Sequence, residues 1–402
     1  LFVVLLVGEF ATEQDALGAP ALLTAGTMAV GSIEVLTVLG SLLLLFTLVE
    51  SVRREARTRF DGILYAMPVR TGALLLAKGL ANGLLIALLI AVCGVASLMF
   101  LAGQGIAPLD LGPFVSVWGL VLTPTFLVWG AFVAAVLSLT GNRFATYGIG
   151  LAVLARTADA FASGRMTWVA IWPLWATLRW SDLGWMPLND GALLFNRALM
   201  LALTVAFAAA AWRWFPRRDY DGAWWAHSAG ILKRNAVGAL GLIALPLALG
   251  GTLAYQVRTG FQGQAAEDWA TAYWKANYDV WSDIPPPTVA HVDLRIDRQP
   301  ADRRLDATGT YTVVNGSNAP MAQVPFTNGY GFSEVAWSLD AGASPPVERR
   351  PGLDVVTLPA PLVPGDSSAL NFAYALTYPR GITRNGGGTA HFLLPEGVLL
   401  ST

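Results

Sequence analysis

The chain has 402 residues, of which 54% are hydrophobic and only 13% charged, and its formal net charge is -1. An average soluble domain is roughly 25% charged, so the composition excludes an ordinary soluble protein and points to the membrane class, with length enough for two or three domains. The net charge of -1 makes no electrostatic case for nucleic acid, whose phosphates must be neutralised by cations, and the single Cys93 excludes an intramolecular disulfide framework.

The chain opens on Leu1 within an apolar run, LFVVLLV, too short to span, and closes on LLST; both ends read as those of a fragment, with residues 1–8 the tail of a further span. A span needs about 20 mostly apolar residues. Six stretches qualify, at 25–49, 77–101, 114–139, 144–163, 195–214 and 236–256. The loops between them set the expected orientation, because Lys and Arg accumulate on the cytoplasmic side. Arg53, Arg54, Arg57, Arg59 and Arg70 lie in 51–75, Arg143 in the short loop at 140, and Arg217, Arg218, Lys233 and Arg234 in 215–235. The alternate loops, 9–24 and 102–113, hold Glu9, Glu13, Asp15 and Asp110 and no Lys or Arg, so they read as external. Counting the tail at 1–8 as a crossing, the expectation is a bundle of six to seven spans over 1–256, with everything after 257 outside.

Among the charged residues inside these stretches, Glu34, Arg156 and Asp159 stand out. Glu34 lies near the outer end of its helix, where a hydrated or hydrogen-bonded structural residue and a substrate ligand are the two readings. Arg156 and Asp159, spaced i,i+3, can meet on one helix face; at the bilayer centre each would cost roughly 2.5–3.5 kcal/mol on insertion scales. They read either as a locally neutralised pair or as part of a transport path. Beyond them, MTWVAIWPLWATLRW places Trp168, Trp172 and Trp175 at i, i+4, i+7, the spacing of an aromatic ridge at the outer interface. Gly79 and Gly83 in the third span have the spacing of a close helix contact.

The segment SVRREARTRFDGILYAMPVRTG, 51–72, carries five arginines. Phe60, Ile63, Leu64 and Met67 recur at i, i+3, i+4, i+7, while Arg54, Thr58, Asp61 and Tyr65 fall opposite. The spacing predicts an amphipathic helix ending near Pro68. Two roles are open to it: a helix lying on the anionic cytoplasmic surface of the lipid bilayer, or a docking helix for a cytoplasmic partner.

After the last span, residues 257–287 read as an aromatic, helical linker closed by IPPP. The period then changes to two. In VAHVDLRID, Val292, Leu294 and Ile296 face one way and His291, Asp293, Arg295 and Asp297 the other; GTYTVVN, EVAWSLD, LDVVTLPA and ALNFAYALTYP follow with turn residues between them. This predicts an antiparallel β-sandwich over 288–402.

Two resemblances cover nearly the whole chain. The stretch RREARTRFDGILYAMPVRTGALLLAKGLANG, following a span that ends at Glu50, resembles permeases of the ABC-2 type. The resemblance implies that the helix bearing Arg54, Phe60, Asp61, Ile63, Leu64 and Met67 docks a separate cytoplasmic ATP-hydrolysing subunit, that the chain acts as a dimer, and that it sits in a bacterial inner membrane. WSDLGWMPLNDGALLFNRALML is similar to a subset of these permeases fused to a peptidase-like region. The second resemblance is to the amino-terminal sandwich of zinc aminopeptidases related to aminopeptidase N, carried by VDLRIDRQPADRRLDATGTYTVVNGSNAPM, with Leu294, Leu305, Gly309, Tyr311 and Asn315, and by PLVPGDSSALNFAYAL.

The chemistry of those families is not in this chain. A gluzincin zinc site needs HExxH on one helix face, and the histidines here are His227, His291 and His391. A P-loop needs Gly-Lys-Ser/Thr, and Lys78, Lys233 and Lys275 are followed by Gly, Arg and Ala. No catalytic, cofactor or metal residue is therefore expected; ATP belongs to a partner, and zinc only to a catalytic region absent from the chain. The reading is a permease-like subunit carrying an external sandwich. The alternatives are the anchor and leading domain of a zinc aminopeptidase, or a non-transporting scaffold.

Overall fold

Long apolar runs leave the backbone one way to satisfy its own polar groups in lipid, and each run read as a span folds as a helix where it is described. The computed structural model describes residues 24–104, 110–175, 177–178, 190–215, 236–339, 342–378, 381–386, 391–394 and 397–400. The helices are α1 (Ala25–Arg57), α2 (Asp61–Ala66), α3 (Thr71–Gln104), α4 (Gly112–Thr140), α5 (Arg143–Ala162), α6 (Asp190–Trp214), α7 (Ala236–Thr259) and α8 (Gln264–Asp283). Two units are distinguished, Leu1–Tyr255 with Asn385–Gly387, and Gln256–Arg384 with Gly388–Thr402.

Among the described residues four helices are long and apolar enough to cross a membrane, over Ala25–Glu55, Thr71–Gly103, Gly112–Thr140 and Asp190–Trp214. That is fewer than the six or seven expected. In α5 the cause is charge, since Arg143, Arg156 and Asp159 lie within its 20 residues. The run at 1–8 lies outside the described residues.

α4 is the centre of the first unit, packed along α6 and α1, with α3 and α5 also against α1. Two glycines permit the closest approaches: a β-carbon on Gly40 of α1 would stand 2.6 Å from the Phe126 ring of α4, and one on Gly150 of α5 would stand 2.7 Å from Leu45. Asn142 caps α5 by accepting from the Phe144 and Ala145 N–H groups. Leu76, Leu80, Leu84 and Leu88 form an exposed stripe on α3, the outward apolar surface that suits acyl chains. Gly79 and Gly83 face open space, so their spacing makes no helix contact among the described residues.

The tryptophan segment departs from expectation. Residues 165–175 and 177–178 are irregular turns instead of a helix with an interfacial ridge, and Trp168 and Trp175 are buried. The segment folds back among the helices: Trp172 stacks on Trp129 of α4 at 5.1 Å and donates to Thr157 Oγ1 of α5 at 3.1 Å, while Trp175 donates to Thr37 Oγ1 of α1. Irregular backbone at such depth is tolerated only where protein covers it.

The second unit has three layers. One sheet runs in the order β1-β2-β7-β4, with β1 (Thr288–Gln299), β2 (Arg304–Val314), β4 (Phe332–Leu339) and β7 (Ser367–Thr377). It faces a sheet of β3 (Met321–Thr327), β6 (Leu353–Leu362) and β5 (Val347–Arg350) in the order β3-β6-β5. All pairings are antiparallel, as is the separate hairpin of β8 (His391–Leu394) and β9 (Gly397–Leu400). An aromatic stack fills the space between the sheets, with Tyr311 and Phe372 at 4.3 Å and Phe326 and Trp337 at 4.5 Å. Gly309 is required there, since a β-carbon would meet the Asp293 carbonyl oxygen at 2.0 Å and the Phe372 ring at 2.8 Å. The stretch read as a linker forms α8, which covers the outer face of the second sheet through Tyr273 and Val280 against Leu353 and Val355. Accordingly β6 is buried on both faces over Leu353–Val356.

Candidate functional site

The residues expected to dock a partner lie where α1 ends. The single helix expected through 53–67 is broken in two. α1 continues to Arg57, Arg59 takes a left-handed φ of 57°, and α2 begins at Asp61. The break has a local cause: the Thr58 hydroxyl hydrogen-bonds the Arg54 carbonyl at 3.0 Å, and the Phe60 N–H reaches the Glu55 carbonyl at 2.9 Å, closing α1 with a wide turn. Phe60, Ile63 and Met67 are exposed, Ile63 to 61%, with Val69 beside them. Leu64 and Tyr65 are half-buried, Tyr65 lying edge-on to Phe215 at 6.2 Å. Arg54 is exposed; the Asp61 side chain lies outside the described residues.

Three connections hold this end of α1 to the rest of the bundle. Lys78 of α3 pairs with both Glu55 oxygens at 2.7 and 2.8 Å and donates to the Ser51 carbonyl, and Asn82 donates to Ser51 Oγ at 3.2 Å. The Lys78 and Glu55 side chains are only 12% and 20% exposed. Arg53 donates at 3.0 Å to the carbonyl of Gly141, the left-handed residue that ends α4. Glu50 accepts from the Tyr147 hydroxyl of α5 at 2.9 Å and pairs with Arg143 at 3.5 Å and Arg57 at 3.4 Å. The last turns of α1 are thereby joined to α3, α4 and α5 in one polar network beside an exposed apolar turn.

Elsewhere in the bundle, Glu34 lies on an exposed face of α1. Arg156 and Asp159 meet at 2.8 Å, and Arg165, which sequence reasoning had not singled out, joins Asp159 at 2.9 Å. All three side chains are more than half exposed, so the cluster points away from the helix interior. These residues are not brought together with Glu34 or with the α1–α2 turn.

Among the described residues of the bundle the buried charge is Arg197 of α6, 3% exposed. Its guanidinium donates to the Val121 carbonyl at 3.0 Å, Thr125 Oγ1 at 3.0 Å, the Trp172 carbonyl at 2.9 Å and Asn196 Oδ1, with no carboxylate among these partners. Asn196 donates to the Trp168 carbonyl at 2.6 Å. Together they satisfy carbonyls of the tryptophan segment and tie it to α4 beside the helix-internal Pro124. The signal was present in the sequence as an Asn-Arg pair inside the apolar run LLFNRALML.

In the second unit the charged clusters are surface pairs. Arg350 donates to Asp279 at 2.9 Å and Glu348 at 2.7 Å, joining β5 to α8, and Arg304 bridges Asp306 at 2.7 Å and Glu334 at 2.8 Å. The hydrogen bond from Arg350 holds the Asp279 carboxyl below its ordinary range, and that from Arg304 does the same for Glu334. Burial raises the Tyr311 hydroxyl. His291 lies on exposed β1; His227 falls outside the described residues. Among the described residues no group of three or more His, Cys, Asp or Glu is placed to hold a metal.

No protein-family model matches the chain, and no curated protein matches it. Solved structures of an M1 zinc metallopeptidase from Deinococcus radiodurans are similar to part of it. One is 28% identical with a TM-score of 0.19, over 23% of this chain and 21% of that one. Another is 25% identical with a TM-score of 0.20, over 25% of each chain. The chain thus spans between a fifth and a quarter of the length of these enzymes, and these neighbours are zinc metallopeptidases.

Proposed function

We propose that the chain is the permease-like subunit of an ABC-type transporter, working with a separate cytoplasmic ATPase and carrying an external β-sandwich. The observation that carries this reading is the exposed Phe60, Ile63 and Met67 turn set against the polar network of Glu50, Arg53, Glu55 and Lys78. An apolar surface of that kind marks an interaction site. Its fastening to three other helices supplies what a coupling element needs, since displacement of α1 and α2 moves α3, α4 and α5 with it.

In this reading α5 and α7 also cross the bilayer, the run at 1–8 is the end of another crossing, and the basic end of the bundle faces the cytoplasm of a bacterium. ATP is bound and hydrolysed by the partner. Closure of the ATPase pair presses on 53–67 and rocks the spans between inward-open and outward-open states. Replacing Phe60, Ile63, Leu64 and Met67 with polar residues abolishes co-purification of the ATPase; survival of the complex would sink the reading.

The second reading is the membrane anchor and leading domain of a zinc aminopeptidase, with zinc and catalysis in a region outside this chain. What favours it is that the two stretches resembling the aminopeptidase sandwich, 292–321 and 361–376, fold into β1 with β2 and into the β6–β7 turn. Substrate-stimulated ATP hydrolysis in vesicles, or chelator-sensitive peptidase activity of a longer chain, separates the two readings. A scaffold alone gives neither.

A further inference from the structure

Edge strands present unpaired N–H and C=O groups that template another strand, and native sheets blunt them with bulges, proline, short length or charge. Three of the four sandwich edges carry such a device. β4 is irregular between Ser333 and Ala336, with Glu334 at a φ of 56° and ion-paired to Arg304. β3 contains Pro325 and a register shift between Met321 and Gln323, and β5 has only 4 residues. β1 is different: it is terminal in its sheet, 12 residues long, and unbroken in register from His291 to Gln299.

Its side chains are exposed on both faces. Val292, Leu294 and Ile296 stand opposite Tyr311, Gly309 and Ala307, on the side of the sheet that holds the core, yet they are 40–46% exposed. On the other face Asp293, Arg295 and Asp297 make no ion pair among the described residues.

We infer that β1 is a self-association edge, pairing antiparallel with β1 of a second copy about a two-fold axis at Leu294. The sequence of the strand selects that register. Centred on Leu294, Asp293 meets Arg295 of the partner strand and His291 meets Asp297, each twice, while Val292 meets Ile296 on the core face and Leu294 meets itself. Centred on Arg295, the pairing would oppose Arg295 to itself and Asp293 to Asp297; centred on Ile296, it would set Leu294 against Arg298. Only the Leu294 register satisfies the charged face and the apolar face together. The inference does not depend on what the membrane bundle transports.

The test uses the full chain in membranes. A Leu294→Cys variant brings two thiols within disulfide reach across the axis, and mild oxidation is expected to convert it to a covalent dimer, whereas Val363→Cys, on an exposed loop, stays monomeric. Adding Asp293→Arg or Arg295→Asp to Leu294→Cys is expected to lower cross-linking about tenfold, and combining the two reversals restores it by exchanging the pairs. Equal cross-linking at Val363, indifference to the single reversals, or failure of the double reversal to restore it overturns the proposal. So does a dimer by light scattering that does not cross-link at position 294, which would place self-association on another surface.

Discussion

Arg197 places five N–H groups among neutral acceptors with no counter-ion, at a position 3% exposed. Its role follows from what it touches. Thr125 Oγ1 also donates to the Val121 and Trp172 carbonyls, so the acceptor that depends on Arg197 is the buried Asn196 Oδ1, and such a group left unpaired costs about 1–3 kcal/mol. Arg197→Met is therefore expected to lower the melting temperature of the detergent-solubilised protein and to quench the ordered tryptophan environment. Arg197→Lys is not expected to recover it, because one ammonium cannot span acceptors arranged for a planar fork; full stability of the Lys variant would show that charge alone suffices. In the sandwich the titration runs the usual way for carboxylates. Asp279 and Glu334 have folded-state values below their unfolded ones, so their contribution is present above the ordinary carboxylate range and is lost as pH falls through the depressed values. Protection factors for hydrogen exchange in the sandwich strands, taken relative to the intrinsic rate at each pH, should fall on acidification below that range, and Asp279→Asn with Glu334→Gln should flatten the dependence.

Two segments show how an element's environment overrides its local pattern. The Phe60, Ile63, Leu64, Met67 spacing is helical, yet the Thr58 hydroxyl and the left-handed Arg59 end α1 first, leaving a 6-residue α2. Side-chain competition for the backbone at Thr58 is local chemistry, but its victory depends on α1 being held by Lys78 and Arg53, which lie or bond far along the chain. That strut is testable by a mutant cycle. Glu55→Lys or Lys78→Glu alone should cost about 1–3 kcal/mol by stranding a partly buried charge, and the exchanged pair should return part of it; strictly additive losses in melting temperature would mean the two residues do not interact. The tryptophan segment teaches the same lesson from the other side. Its i, i+4, i+7 spacing fits a helix, but Pro173 removes a donor, and Asn196 and Arg197 supply the bonds that an irregular backbone needs.

At the scale of the whole molecule, hydropathy and loop charge make a topological prediction. With Cys93→Ser as background, single cysteines at Asp110 and Asp297 should react with a membrane-impermeant maleimide in intact cells, and one at Arg59 or Arg70 only after permeabilisation. Labelling of Arg59→Cys from outside would invert the orientation. The division into two units also places α8 with the sandwich, because its Tyr273 and Val280 face is consumed by β6 and its Asn277 donates to the Pro351 carbonyl at 2.8 Å. Composition had marked that helix as aromatic and polar without saying what it covers.

The sequence by itself determined the helices of the bundle, the change from helical to alternating period near residue 288, and five of the sandwich strands, because apolar length and periodicity are local properties that burial must respect. It also determined that this chain lacks the residue spacings of a gluzincin zinc site and of a P-loop. β3 and β5 were not visible, since Pro325 and the charged run Glu348, Arg349, Arg350 carry no strand signature of their own and are recruited by pairing with β6. Only the tertiary structure decided which polar residues are buried. Arg156 and Asp159 look more anomalous in sequence but point outward, whereas Arg197 is enclosed, because enclosure depends on which helices pack together and not on the residues adjacent in the chain.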